Sequence, residues 1–135
     1  MAATFLLGRL VFGGFFLYNG LNHFISHAML THIAASKGVP MADLAVLIAG
    51  LLITFGGASI ILGWRPELGL VAIVLFLLPV SFLMHNFWAE PNGAARTDDL
   101  VNFTKNMALL GGTLMMVAIP QPWPYSISAR RRWVV

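Results

Sequence analysis

Three polar stretches in an otherwise apolar chain carry the groups able to do chemistry: Asn19-Gly-Leu-Asn-His-Phe24, Met84-His-Asn-Phe-Trp88 and Phe103-Thr-Lys-Asn106. Together they gather imidazole, amide and ammonium groups beside aromatic rings. An imidazole takes up or releases a proton near neutral pH, so it can serve proton-coupled chemistry. Amides donate and accept hydrogen bonds, and Phe16, Phe24, Phe87 and Trp88 supply apolar walls. That mixture suits the head of a quinone-like ligand, two carbonyl acceptors on an apolar ring. The candidate binding residues are Asn19, Asn22, His23, His85, Asn86, Trp88, Asn102, Lys105 and Asn106. His23 and His85 also stand as a weaker metal alternative, with haem or copper between them and Met84 and Met107 nearby. The plainer reading keeps both histidines as satisfied helix ends and Lys105 as an anchor at the membrane surface.

Composition says what must hold these groups. The chain is 59% hydrophobic and 10% charged, against about 25% charged in an ordinary soluble domain. Its 135 residues make one domain, 1–135. With no cysteine, thiol exchange, thiolate metal sites and Cys-ligated iron–sulfur clusters are excluded for this chain alone. The net charge is +3, and Arg130, Arg131 and Arg132 account for three of the positive charges. They read as an anchor at a membrane surface, and no basic, aromatic-interleaved face points to nucleic acid.

A helix needs roughly 20 apolar residues to cross a bilayer. Four stretches approach that length, at about 5–24, 44–62, 68–88 and 103–119. The expected fold is all-α, a bundle of four transmembrane helices with a short interfacial helix, Ala28–Ser36, in the first outer loop. Gly63-Trp-Arg-Pro-Glu67 reads as a tight turn, Thr97 as a helix N-cap, and Asp98 and Asp99 as charges suited to that helix start. Pro120, Pro122 and Pro124 stop the last helix. No basic region precedes Thr4 and no small-residue cleavage site follows the first span, so that span reads as retained.

Four spans put both termini on one side, and the balance of Lys and Arg, five against three, places that side in the cytoplasm. All three polar stretches then lie at outer helix ends, at one depth. Polar groups in hydrocarbon are costly and face partners or a cavity. At 100° per residue, Arg9, Gly13, Phe16, Gly20, His23 and His27 share one stripe, flanked by Asn19, with Asn22 nearly opposite. Ser81 and His85 share a face on the third span, as do Asn102, Lys105, Asn106, Leu109 and Thr113 on the fourth. Gly50, Thr54 and Ala58 form a small-residue stripe on the second, and the glycine pairs 13–14, 56–57 and 111–112 permit similar close approach. Arg9 reads either as a snorkelling residue or as a buried hydrogen-bonding one. His27 and His32 read as exposed loop residues.

Gly8-Arg9-Leu10, Asn19-Gly-Leu-Asn-His-Phe24, Ala35-Ser-Lys-Gly-Val-Pro40, Leu77-Leu-Pro, His85-Asn-Phe-Trp88 and Lys105-Asn-Met-Ala-Leu-Leu-Gly-Gly112, in this order, resemble the DoxX family of small membrane proteins. The resemblance implies a multi-pass protein of the bacterial inner membrane. It also implies a redox setting, because the family includes the membrane subunit of a thiosulfate:quinone oxidoreductase. The expected function is therefore a quinone-linked subunit of a redox complex, possessing no flavin or dinucleotide motif and relying on a separate redox or membrane protein subunit for electrons. Two other readings stay open: a non-catalytic assembly or interaction factor, and a haem- or copper-binding membrane protein. A homo-oligomer is compatible with each, and a transporter of this size would require one.

Overall fold

The computed structural model describes residues 1–130. Among these the chain is all-helical: α1 (Ala2–Ile25), α2 (His27–Ser36), α3 (Ala42–Leu62), α4 (Pro66–Leu83), α5 (Ala94–Val117) and a final single turn, α6 (Ile127–Arg130). Three of them, α1, α3 and α4, are long and apolar enough to cross a membrane. α5 has the length, 24 residues, but its first half carries Arg96, Asp98, Asp99 and Lys105. Packing runs α1 on α3, α3 on α4 and α4 on α5, with α2 laid chiefly against α3. The expected anchor at Arg130, Arg131 and Arg132 falls on side chains outside the described residues.

Close approach explains the tightest pairings. A Cβ added at Gly57 would sit 2.6 Å from the Gly13 carbonyl oxygen and 2.5 Å from the Leu17 nitrogen. One added at Gly20 would meet Thr54 Oγ1 and its backbone. Backbone therefore rests on backbone between α1 and α3, the packing that small residues allow where lipid removes most of the hydrophobic drive between helices. Gly50, Thr54 and Gly57 form that surface; Gly57 takes the place expected for Ala58, because the contact follows both a three- and a four-residue step. Gly14 and Gly111, by contrast, face open space. The core proper is Phe16, Ile53, Ile60, Leu70, Ile73, Leu77 and Trp123.

At the end away from the three polar stretches, Arg9 is 1% exposed. Its Nε donates to Ile60 O at 2.9 Å, Nη2 to Ile61 O at 2.8 Å and Nη1 to Pro124 O at 2.6 Å. The first two acceptors belong to the last turn of α3, whose carbonyls have no intrahelical partner and form the negative pole of that helix. The guanidinium also lies 5.5 Å from the Trp123 ring and 5.9 Å from Phe5. Arg9 is thus the buried hydrogen-bonding residue, and it does not snorkel. It pins the start of α1, the end of α3 and the C-terminal segment together, which brings both described chain ends to one side.

Two helix boundaries depart from expectation. The third span was expected to run to Trp88, but α4 ends at Leu83. His85 consequently shares no helical face with Ser81. The residues that follow prefer each other: Phe82, Phe87, Trp88 and Phe103 make mutual edge and tilted ring contacts at 5.1–6.1 Å, which a continuing helix would separate. The fourth was expected from about residue 103, yet α5 begins at Ala94. Thr97 is therefore not the N-cap; that position is Gly93, and the Thr97 hydroxyl donates back to the Gly93 carbonyl. Ala94 and Ala95 are strong helix formers and carry the helix back to the glycine.

Candidate functional site

The reach of α1, the break after α4 and the middle of α5 converge on one cavity of about 580 Å³, within the usual range for small-molecule sites. Its walls are mostly aliphatic, from Leu30, Ile33 and Ala34 of α2 through Val46 and Leu52 of α3 to Leu75, Phe76 and Val80 of α4. Five polar residues interrupt them: Asn19, His23, His85, Lys105 and Asn106. Pro79, also on the wall, has no amide hydrogen to offer the carbonyl of Leu75 one turn earlier.

His23 sits near the end of α1, where the 100° stripe turns it toward α3 and α4. Its Nδ1 lies 2.8 Å from the carbonyl oxygen of Asn19, and its ring stands edge-on to Phe76 at 6.0 Å. Asn19 donates from Nδ2 to Phe15 O at 2.8 Å. Lys105 donates to Asn102 Oδ1 at 2.7 Å. Asn106 differs from all of these. It is 6% exposed, and among the described residues its side-chain amide has no hydrogen-bond partner although it lines the cavity.

His85 is held by an ionic network. Its Nδ1 lies 3.3 Å from Asp99 Oδ1, while Lys37 Nζ reaches Asp99 Oδ2 at 2.7 Å and also Glu90 Oε1. Three segments are thereby joined: the α2–α3 connection, the α4–α5 connection and α5. The hydrogen bonds that it donates to Asp99 and Glu90 raise the Lys37 ammonium above its ordinary pKa. Burial pushes the Asp99 carboxyl up, but hydrogen bonds from Lys37 and His85, with their charges, outweigh it, and the net displacement is downward. Burial dominates at His85 and lowers it, against the pull of Asp99. Asp99 is thus an acceptor in a network, where the sequence suggested only a charge at a helix start.

Four expected binding residues lie elsewhere. Asn22 accepts from Ser26 Oγ at 3.1 Å at the helix end. Asn102 donates to Asp98 O and accepts from Lys105 along α5. Trp88 is exposed and belongs to the aromatic cluster. Asn86 is off the cavity, with a buried Oδ1 that has no partner among the described residues. Of the two histidines expected to be exposed in the loop, His32 is exposed, whereas His27 is half-buried and rests on Asp43 O at 3.2 Å. No group of three or more His, Asp or Glu is arranged to hold a metal among the described residues. Lys37, Glu90 and Asp99 were missed as a unit. The available signal was charge opposition: Lys37 is the cation of the α2–α3 connection, with Glu90 in the α4–α5 connection and Asp99 in the first turns of α5.

The DoxX family profile matches residues 4–86, which is α1 through the break after α4. The chain is 30% identical over 96 residues to the inner membrane protein YphA of Escherichia coli (strain K12), an alignment covering 71% of this chain and 67% of YphA. No solved structure matches. Lys105 and Asn106 lie beyond the matched part of the family profile.

Proposed function

This chain belongs to the DoxX family of integral membrane proteins, and from that premise we propose that it binds a lipid-soluble, quinone-like ligand as the membrane subunit of an inner-membrane redox complex. The ligand's head would enter among His23, His85 and Asn106, and its tail would leave along the aliphatic wall. The observation that carries this reading is the amide of Asn106. Its residue is buried, yet the amide lines the cavity, so a group within the cavity is what can pair it, and an amide left unpaired away from water costs about 1–3 kcal/mol. An unpaired amide on the wall of a cavity that two histidines also line fits a polar ligand head. The low charge and apolar walls match a ligand drawn from the bilayer rather than from water. In this reading α5 completes a four-helix bundle, α2 lies at the interface, and the cavity opens toward the periplasmic side. Electrons come from a separate protein subunit.

The test is to purify the protein from membranes in mild detergent, extract it with organic solvent and identify the ligand by mass spectrometry. A quinone should be retained by the parent and reduced at least about tenfold by Asn106→Val, with membrane insertion unchanged because insertion follows summed apolarity. A parent protein without any extractable ligand, unable to bind either an added benzoquinone or its hydroquinone, would refute the proposal. The aromatic cluster of exposed Phe82 and Trp88 with half-buried Phe87 and Phe103 favours one second reading, an interaction factor that docks another membrane protein at this end. It predicts that Trp88→Ala disrupts a complex while Asn106→Val does nothing.

A further inference from the structure

Hydrogen-bond polarity inside the cavity is set by groups that only accept. His23 Nδ1 lies 2.8 Å from the backbone carbonyl oxygen of Asn19. A carbonyl oxygen has no hydrogen to give, so Nδ1 carries the proton. In a neutral imidazole the other nitrogen, Nε2, is then a bare lone pair. His85 repeats the arrangement through a different partner, Asp99 Oδ1 at 3.3 Å. Lys37 on the second oxygen of that carboxylate keeps it ionised and accepting. Neither Nε2 has a protein partner among the described residues, and both histidines line the cavity. A third polar group on the wall, the Asn106 amide, donates and accepts equally well. Lys105 is engaged by Asn102.

We infer that the cavity selects ligands that bring hydroxyl hydrogens to the two imidazoles, and so takes the dihydroxy, reduced form of an aromatic head in preference to its dicarbonyl, oxidised form. This rests on the reading that the cavity holds a lipid-soluble ligand, and it specifies which form. A dicarbonyl head would set lone pair against lone pair at both histidines and leave Nε2 of each unpaired. A dihydroxy head donates to both. Sites built to pair a ligand hydroxyl reject the analogue that lacks it far more strongly than apolar pockets separate ligands by size. Asp99 is a positioning residue in this scheme. It does not reach the ligand but decides which nitrogen of His85 does, as carboxylates behind histidines do elsewhere.

Binding of three probes with one common decyl tail tests the inference: a benzohydroquinone kept anaerobic, its benzoquinone, and its dimethyl ether, which lacks donors and redox activity. Affinities would be measured by titration calorimetry on the intact protein in lipid nanodiscs. The hydroquinone should bind at least about tenfold tighter than either other probe. In Asp99→Asn the amide can donate to Nδ1 as well as accept, so His85 is free to present a hydrogen to the cavity. The ratio of hydroquinone to quinone affinity should then fall to about threefold or less, while quinone binding is retained. His23→Gln, whose amide offers either polarity, should lower the ratio similarly and serves if Asp99→Asn does not fold. Equal affinities in the parent, or tighter quinone, overturn the inference and leave the cavity reading standing. A ratio unchanged in every folded variant overturns the tautomer basis. Failure of all three probes to bind overturns the cavity reading and the inference together.

Discussion

A single guanidinium illustrates how a charged residue becomes structural in an apolar chain. Arg9 reaches three carbonyl oxygens on two segments, a geometry that uses the planar fork and has no counterpart in an ammonium. Arg9→Met should destabilise the protein by about 3 kcal/mol or more, and Arg9→Lys should recover only part of that, read as the midpoint of unfolding in detergent. The His85–Asp99–Lys37 network makes a second prediction, in pH. Asp99 is held below the ordinary carboxylate pKa, so its contribution is present above that value and fades as pH falls through the lower folded one. His85 is also lowered, so its neutral form is favoured, and its contribution is lost as pH falls below the ordinary imidazole range of about 6.5. Lys105 and Lys37 face the same ring and oppose its protonation. Lys37 is raised, so its contribution holds through neutral pH and fades only as alkaline pH passes its folded value. Thermal unfolding from pH 8 to pH 4 should therefore show falling stability, and His85→Gln should flatten the upper part of that fall.

Helix pairing depends on which glycines meet backbone. Gly57→Ala places a methyl against Gly13 O and Leu17 N, contacts that only a shift of α1 from α3 relieves. Overpacking of that kind costs about 1–3 kcal/mol. Gly111→Ala meets nothing within 4 Å and replaces the poorest helix former short of proline with the best. It should leave the unfolding midpoint unchanged or slightly raised. Equal effects of the two substitutions would mean that α1 and α3 do not pack as described. Helix boundaries behaved differently from helix faces. The stripe from Arg9 through Gly20 to His23 was legible because periodicity survives in any apolar background. The end of α4 was not, because hydrophobicity continues through Phe87 and Trp88 while ring contacts with Phe103, fifteen residues or more along the chain, turn the backbone aside.

At the scale of the whole molecule the two ends do different work. One end is closed by Arg9, Gly63, Pro124 and Ser128, whose hydroxyl donates to Gly63 O at 2.9 Å. The other carries the cavity and the ion-pair network. On the expectation that the side richer in Lys and Arg is cytoplasmic, a periplasmic phosphatase fused after Val135 should be inactive and a cytoplasmic reporter active. The opposite result would turn the cavity toward the cytoplasm without changing its lining.

Apolar content and spacing by themselves determined that this is a helical membrane protein and that Arg9 and His23 lie on one inward stripe of α1. These properties are summed along a segment or repeated every 3.6 residues, so neighbours in sequence are sufficient to reveal them. Only the tertiary structure decided that Asn19, His23, His85, Lys105 and Asn106 share one cavity while Asn22, Asn86, Trp88 and Asn102 do not. It alone joined Lys37 to Glu90 and Asp99, residues 53 and 62 positions away. The reason is physical. Whether a polar side chain at a helix end meets a ligand space, a neighbouring turn or another charge depends on where the chain breaks and which segment folds back over it. Those outcomes are set by long-range packing, of rings after α4 and of backbone on backbone between α1 and α3.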